Sequence, residues 1–90
     1  MRLSLRYSTR CRRDIKRVSK RGKDIKKMEQ VIDMLQAGEV LPARYRDHPL
    51  KGEWQGYMEC HIEPDWLMVY QRHENLLIVM ATGTHADLFE

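Results

Sequence analysis

The sequence lacks long apolar segments and is poor in cysteine. No apolar run approaches the roughly 18 residues that a membrane-spanning helix needs, so we expect no membrane contact. The basic start of the chain also lacks the apolar core and the cleavage site of a secretion signal, which predicts a cytoplasmic protein. The two cysteines, Cys11 and Cys60, lie too far apart for a compact metal-binding motif. In a reducing cytoplasm we expect both to be small buried side chains.

Acidic residues are scarce in the first third of the chain. Residues 1–27 contain twelve Lys or Arg against two Asp, a balance of +10, whereas residues 28–90 contain four against eleven, a balance of −7. The formal net charge of +3 therefore conceals one basic and one acidic segment. A concentrated basic segment favours contact with a polyanion such as nucleic acid. Helix faces that are simply exposed to water would have the same composition.

The spacing of apolar residues in the first half predicts one strand and two helices. Residues 2–7 alternate between polar and apolar, as in a half-buried strand. Two further segments carry apolar residues three or four positions apart, which places them on one helix face. These residues are Cys11, Ile15 and Val18 in the first segment and Ile25, Met28, Ile32 and Leu35 in the second. Ser8 or Thr9 can cap the first helix and Asp24 the second, and the short link at Gly22 predicts antiparallel helices.

The second half of the chain predicts a long loop followed by three strands. Residues 39–53 contain two prolines and no clear period, as in an extended loop. Strands are predicted at residues 54–62, 66–71 and 76–82, separated by the turns EPD and RHEN. The pattern therefore predicts one domain, residues 1–90, with the order β-α-α-β-β-β. The predicted fold class is α+β, a curved antiparallel sheet with a two-helix hairpin packed on one face.

Three histidines and a carboxylate are predicted to meet at one edge of this sheet. His61 ends one strand, Asp65 precedes the next, and His85 follows the last. These strand ends are neighbours in an antiparallel meander, whereas His48 joins them only if the long loop folds back. His and Asp are ordinary zinc ligands, but their spacing here matches no compact zinc motif. Imidazoles can instead serve as acid and base in metal-free RNA cleavage by the 2′-hydroxyl, or all three can be surface residues without a catalytic role.

Aromatic side chains border the same turns. Trp66 and Phe89 can stack on unpaired bases, which contributes about 1–3 kcal/mol per base, or they can belong to the core. Their positions, beside a turn and next to the C-terminus, favour base stacking. Glu63 and His73 also lie in turns, and we expect both to face water.

Three segments of the second half carry a resemblance to a known family. DHPLKG at residues 47–52, CHIEPDW at 60–66 and GTHADLF at 83–89 are similar to the signatures of the YafQ branch of the RelE-like bacterial toxins. The resemblance implies the small RelE-like fold and a ribosome-dependent mRNA endoribonuclease that stops translation without a metal or another cofactor. It also implies the partners: a DinJ- or RelB-like antitoxin, the ribosome and its mRNA, and operator DNA bound only by the toxin–antitoxin complex.

The same resemblance implies roles for individual residues. The catalytic positions of the family correspond to His48, His61, Asp65 and His85. Among them, His85 is the expected general acid. Trp66 and Phe89 correspond to positions that contact the substrate or shape the site. The basic helices are expected to face ribosomal RNA.

The chain departs from the family at two positions. Relatives often carry an arginine where this chain has Ala81, and a basic residue where it has Met58. We expect Arg46 or Lys51 from the long loop to supply the missing positive charge beside the phosphate that is cleaved. Without that charge, the chain would be a non-catalytic module that keeps the fold, the RNA affinity and the antitoxin contact. A metalloenzyme is the third alternative.

Overall fold

The computed structural model describes residues 2–89, so Met1 and Glu90 of the predicted domain lie outside the described part. The helices and strands are β1 (Ser4–Tyr7), α1 (Thr9–Lys20), α2 (Ile25–Gln36), β2 (His48–Pro49), β3 (Met58–Glu63), β4 (Trp66–His73), β5 (Leu76–Gly83) and α3 (His85–Phe89). Two 3-10 turns, Ala43–Tyr45 and Gly52–Trp54, lie between α2 and β3. The predicted strand, helical hairpin and three-strand meander are confirmed, and β2, α3 and the two turns are additional elements.

The five strands form one sheet in the order β1-β5-β4-β3-β2. Strands β3 to β5 are antiparallel, as predicted, and β2 pairs antiparallel with β3. β1 instead lies parallel to β5, with Ser4 beside Leu76 and Tyr7 beside Val79. A strand that is followed by a helical connection can return parallel to its partner, whereas a tight hairpin forces antiparallel pairing. The sheet is therefore mixed, and the α+β fold class is confirmed.

The helical hairpin has the predicted caps. The Ser8 hydroxyl oxygen accepts a hydrogen bond from the Cys11 backbone N–H at 2.9 Å and donates to the Met80 carbonyl at 2.7 Å. This residue therefore both starts α1 and fastens the helix to β5. Asp24 caps α2 by accepting from the Lys26 N–H at 3.1 Å. Gly22 in the link has φ +90°, a conformation that glycine adopts without steric cost.

The two faces of the sheet are covered differently. The face that carries α1 and α2 holds the larger core, which includes Met28, Leu35, Met68 and Val79. On the other face Leu67, Val69, Ala81 and Leu88 are buried, and partly buried side chains from the 50–57 segment and α3 cover them. The face opposite α1 and α2 is thus covered by short segments that carry residues of the predicted site.

The segment before β3 is more ordered than an extended loop. The strand predicted from residue 54 begins at Met58, because Trp54 ends the second 3-10 turn. The buried Tyr70 hydroxyl on β4 donates a hydrogen bond to the Asp47 carboxylate. Burial, followed by this contact with Asp47, raises the pKa of Tyr70 well above its usual value, so the phenol stays a donor. This bond holds the loop against the sheet next to β2.

Both cysteines are buried free thiols, as the sequence predicts. Burial raises the pKa of Cys11 to about 12 and raises that of Cys60 further, so both thiols stay protonated and unreactive at neutral pH. Across residues 2–89, none of the helices has the length and apolar character needed to span a membrane.

Candidate active site

Two histidines share one buried carboxylate on the face of the sheet opposite α1 and α2. β2 pairs with β3 so that His48 lies opposite Glu59, which means that the long loop does fold back. Alternation along β3 puts His61 on the same face as Glu59. Nε2 of His48 lies 3.3 Å and Nε2 of His61 lies 3.5 Å from Oε1 of Glu59. The Glu59 side chain is only 8% exposed, so water competes little for these contacts.

Backbone carbonyls fix the tautomer of both rings. Nδ1 of His48 lies 2.6 Å from the Arg46 carbonyl oxygen, and Nδ1 of His61 lies 3.2 Å from that of Pro64. Because a carbonyl can only accept, each Nδ1 carries its hydrogen and each Nε2 is left facing Glu59. The contact with Glu59 is attractive only when a proton lies between the nitrogen and the carboxylate. A proton on either Nε2 would therefore lie between that ring and the Glu59 carboxylate.

Glu59 is a site residue that the sequence analysis missed. Its two-residue spacing from His61 was visible, since residues i and i+2 of a strand share a face. What could not be read from the sequence is the pairing of β2 with β3, which brings His48 to the same oxygen.

Asp65 and His85 meet at the predicted edge, but through the backbone. The His85 N–H donates to Oδ1 of Asp65 at 3.1 Å. Asp65 therefore anchors the first turn of α3, where a carboxylate is favourable. It does not orient an imidazole, because the His61 ring is oriented by Pro64. The exposed His85 ring lies 5.2 Å from the Phe89 ring, centre to centre.

An ion-pair clamp holds α3, a helix that the sequence analysis did not predict. Thr84 and Asp87 cap each other: the Thr84 N–H donates to Oδ2 of Asp87 at 2.9 Å, and the Asp87 N–H donates to Oγ1 of Thr84 at 3.1 Å. Arg21, just beyond α1, donates to both Asp87 oxygens at 2.6 and 3.2 Å. The bond from Arg21 is the first cause, and those from Thr84 the next, that hold the pKa of Asp87 well below its usual range.

We expect Asp87→Ala to lower the free energy of unfolding by about 0.5–2 kcal/mol, the range for a lost helix cap. The lowered pKa means that this stabilisation is complete above pH of about 4, where the unfolded aspartate is ionised, and that it declines as the pH falls further. Urea denaturation at pH 7 and at acidic pH measures both effects. The matched control is Asp33→Ala, since the Asp33 side chain pairs with Arg2 while 67% exposed. Equal losses in the two variants would show that the clamp adds nothing.

Trp66 is a core residue, so the prediction that its ring stacks on a base is wrong for this conformation. It is 1% exposed, and its Nε1–H donates to the Thr82 hydroxyl at 2.9 Å. That hydroxyl donates onward to the Leu67 carbonyl at 2.7 Å, and the Thr82 N–H donates to the buried Asp14 at 3.2 Å. Trp66 therefore shapes the end of β5 that leads into α3. Phe89 is only partly buried and stays a candidate for stacking.

Arg46 and Lys51, the residues expected to supply the missing positive charge, lie in different parts of the segment before β3. Arg46 ends the first 3-10 turn with φ +49°, directly beside the His48 contact. Lys51 lies beyond Pro49, whose partner on β3 is Met58, and is therefore farther along β3 from His61. Ala81 is fully buried in the second core, and Met58 packs against the first.

Arg10 is a further cation near this edge that the sequence analysis did not consider. Its guanidinium carbon lies 5.7 Å from the centre of the Trp54 ring, and its Nε lies 3.6 Å from Oδ2 of Asp14. The Trp54 ring in turn lies 6.3 Å from the Phe89 ring. The sequence did contain a signal for this contact, because Asp14 follows Arg10 by four positions and residues with that spacing share a helix face.

His73 and Glu63, which the sequence analysis placed in turns and expected to face water, differ in their contacts. His73 is exposed, as predicted. Glu63 does not simply face water, because Lys23 and Lys27 each donate to it at 2.8 Å. The hydrogen bond from Lys23 is the largest cause, and that from Lys27 the next, that lowers the pKa of Glu63. Within residues 2–89, the positions of His, Cys, Asp and Glu form no group of three or more suited to a metal ion.

Comparison with known proteins places this chain among bacterial toxins. Residues 3–90 match the family described as the bacterial toxin of type II toxin–antitoxin system, YafQ. The chain is 43% identical over 86 residues to the mRNA interferase toxin YafQ of Escherichia coli K12, covering 94% of each chain. The E. coli DinJ–YafQ toxin–antitoxin complex contains a chain with a TM-score of 0.91 and 41% identity, with full coverage of both. A metal-bound toxin from Helicobacter pylori matches with a TM-score of 0.91 and 38% identity over 97% of this chain and 99% of that one. A family match over nearly the whole length, together with these identities, shows that the chain belongs to the YafQ family of toxins.

Proposed function

We propose that the protein is an mRNA endoribonuclease, the toxin of a type II toxin–antitoxin pair, and that it cleaves mRNA on the ribosome and so inhibits translation. The observation that carries this proposal is the pair of imidazoles, His48 and His61, directed at one buried carboxylate. Two imidazoles beside one carboxylate, at the edge where His85 begins α3, suit acid–base cleavage of RNA. The E. coli relative bears the name mRNA interferase toxin.

The proposed reaction uses imidazoles both to accept and to donate a proton. The 2′-hydroxyl attacks the adjacent phosphorus, and an imidazole of the His48–Glu59–His61 cluster takes its proton. The bond from phosphorus to the 5′-oxygen breaks, and His85 protonates that leaving oxygen. The products are a 2′,3′-cyclic phosphate and a free 5′-hydroxyl. Arg46 and Arg10 are the cations we assign to the charge on the phosphorane, and no metal ion is needed for either proton transfer.

The partners are an acidic antitoxin and the ribosome. In the E. coli relative the toxin is in a complex with DinJ, and we propose a DinJ- or RelB-like antitoxin for this chain. Arg12, Lys16 and Lys20 share one exposed face of α1 and form no ion pair with the acidic residues of the described part of the chain. We assign this face to ribosomal RNA. Operator DNA would be bound only by the toxin–antitoxin complex.

Primer extension on mRNA in a programmed ribosome complex tests this function. We expect a discrete cut in the decoding site when the protein and the ribosome are both present, and no such cut on naked mRNA. A chelator of transition metals that leaves magnesium and the ribosome intact should not change the cut. Loss of the cut in that chelator would favour a metalloenzyme, a relevant alternative because the H. pylori relative is a metal-bound toxin.

A non-catalytic RNA- and antitoxin-binding module is the second candidate function. The observation that favours it is the burial of Ala81, and the packing of Met58 against the core, at positions where relatives often carry a basic residue. A folded protein that binds ribosomes and antitoxin but produces no cut would support the module and exclude the enzyme.

A further inference from the structure

A basic groove adjoins the histidine cluster, and of its lining residues only Arg46 has a role in the chemistry described above. It lies between α2, the first 3-10 turn and the hairpin that joins β3 to β4, with a volume of about 440 Å³. Its charged lining residues are Lys27, Arg44, Arg46 and Glu63. The volume lies within the range of small-ligand sites, which is about 300–1,000 Å³.

The charge of the groove is positive and is available to a ligand. Glu63, its one acidic lining residue, is already held by Lys23 and Lys27 at 2.8 Å each. Arg44 and Arg46 form no ion pair with any acidic residue in the described range 2–89. Guanidinium groups bind phosphate in a planar, two-point arrangement, so two unpaired arginines in one groove suit a phosphodiester.

The arginines and the histidines are supported by the same backbone. The carbonyl of Arg46 orients His48 at 2.6 Å, and the carbonyl of Pro64, another lining residue, orients His61 at 3.2 Å. Arg44 is held against its neighbour: its guanidinium carbon lies 4.6 Å from the centre of the Tyr45 ring, and it donates to the Tyr45 hydroxyl at 3.1 Å. Two lining residues of the groove, Arg46 and Pro64, are thus also the residues that orient His48 and His61.

We propose that this groove binds the phosphodiester backbone of the RNA strand next to the nucleotide that is cleaved, through Arg44 and Arg46. The proposal rests on the proposed function, because it assigns the groove to the same strand. It adds a substrate subsite that the acid–base residues do not provide. An acidic segment of the antitoxin is the competing occupant, and the test separates the two.

Binding of a fluorescent RNA oligonucleotide with 2′-O-methyl groups tests the groove without requiring cleavage. The test variant is Arg44→Gln/Arg46→Gln, which keeps the Arg46 carbonyl that His48 needs. The control is Arg6→Gln/Arg72→Gln, which removes two exposed charges from strands β1 and β4, away from the groove. We expect about tenfold weaker binding in the test variant, and a slope of log K against log salt that is smaller by about 1.4, or about 0.7 for each lost phosphate contact.

Each outcome decides the proposal. A loss confined to the groove variant supports it, even if the parent never cuts RNA, in which case only the proposed function fails. Equal losses in the groove and control variants would show that net charge, not the groove, binds RNA, and so would overturn it. Unchanged RNA binding, or no binding by the parent, also overturns it. If the groove variant retains RNA binding but no longer binds the antitoxin, the occupant is the acidic segment.

Discussion

Replacing His85 with glutamine is expected to slow cleavage of ribosome-bound mRNA by about 10²–10⁴-fold, the usual contribution of a general acid or base. The reason lies in the way His85 is held. Its backbone N–H bonds to Asp65, and its exposed imidazole makes ring contact with Phe89. Glutamine keeps the backbone bond and a side chain of similar reach, so α3 should stay in place. The variant therefore removes the proton donor while leaving the fold intact.

The measurement is single-turnover cleavage in the programmed ribosome complex, with thermal unfolding of each variant alongside. His73→Gln is the matched control, because His73 is exposed at the end of β4, at the opposite end of that strand from the site. We expect the control to cut at the parental rate, and both variants to unfold at the parental temperature. A His85→Gln variant that cuts as fast as the parent would remove His85 from the mechanism, and the acid would then have to be sought in the His48–Glu59–His61 cluster.

The parts of this structure that could be predicted from the sequence are those that depend on the spacing of residues within one helix or turn. The apolar stripe from Ile25 to Leu35 and the capping residues Ser8 and Asp24 were sufficient to place the helical hairpin, because helices depend on contacts within a few residues. The EPD turn was equally clear, because its proline lies between two alternating strands. Two of the predicted site residues, His61 and Asp65, lie at this turn and could therefore be placed with it.

The parts that the sequence did not predict depend on pairings between distant residues. β1 pairs in parallel with β5, which places Ser4 beside Leu76, and the sequence of neither strand indicates which strand it pairs with. The five residues of α3 span too few turns to show a period, and one of the contacts that hold them comes from Arg21, which lies 66 positions before Asp87. Glu59 became a site residue only through the register of β2 against β3. His61 and Asp65 at the EPD turn could therefore be identified from the sequence, but the carboxylate of Glu59, which lies between the two histidines, could not.

Truncation of Trp66 to alanine is expected to lower the free energy of unfolding by about 3–5 kcal/mol, the range for removing a buried aromatic ring. The ring is 1% exposed and its N–H is part of the Thr82 network, so truncation leaves both a cavity and a lost hydrogen bond. Total stability in domains of this kind is about 5–15 kcal/mol, so the variant should be close to unfolding. Trp66→Phe keeps most of the packing and loses mainly the hydrogen bond, for which we expect about 1 kcal/mol.

Urea denaturation of these two variants, with Trp54→Ala as the control, decides between the two roles of Trp66. Trp54 is only partly buried and packs beneath the Arg10 guanidinium, so its loss should be tolerated better. If Trp66→Ala were less destabilising than Trp54→Ala, Trp66 would have to be a surface ring available to a base. With the burial described here, RNA affinity should instead survive Trp66→Phe and fall with Phe89→Ala. Base stacking at this edge would then belong to the ring beside His85, and the indole in the HIEPDW turn would serve to hold the strand from which α3 begins.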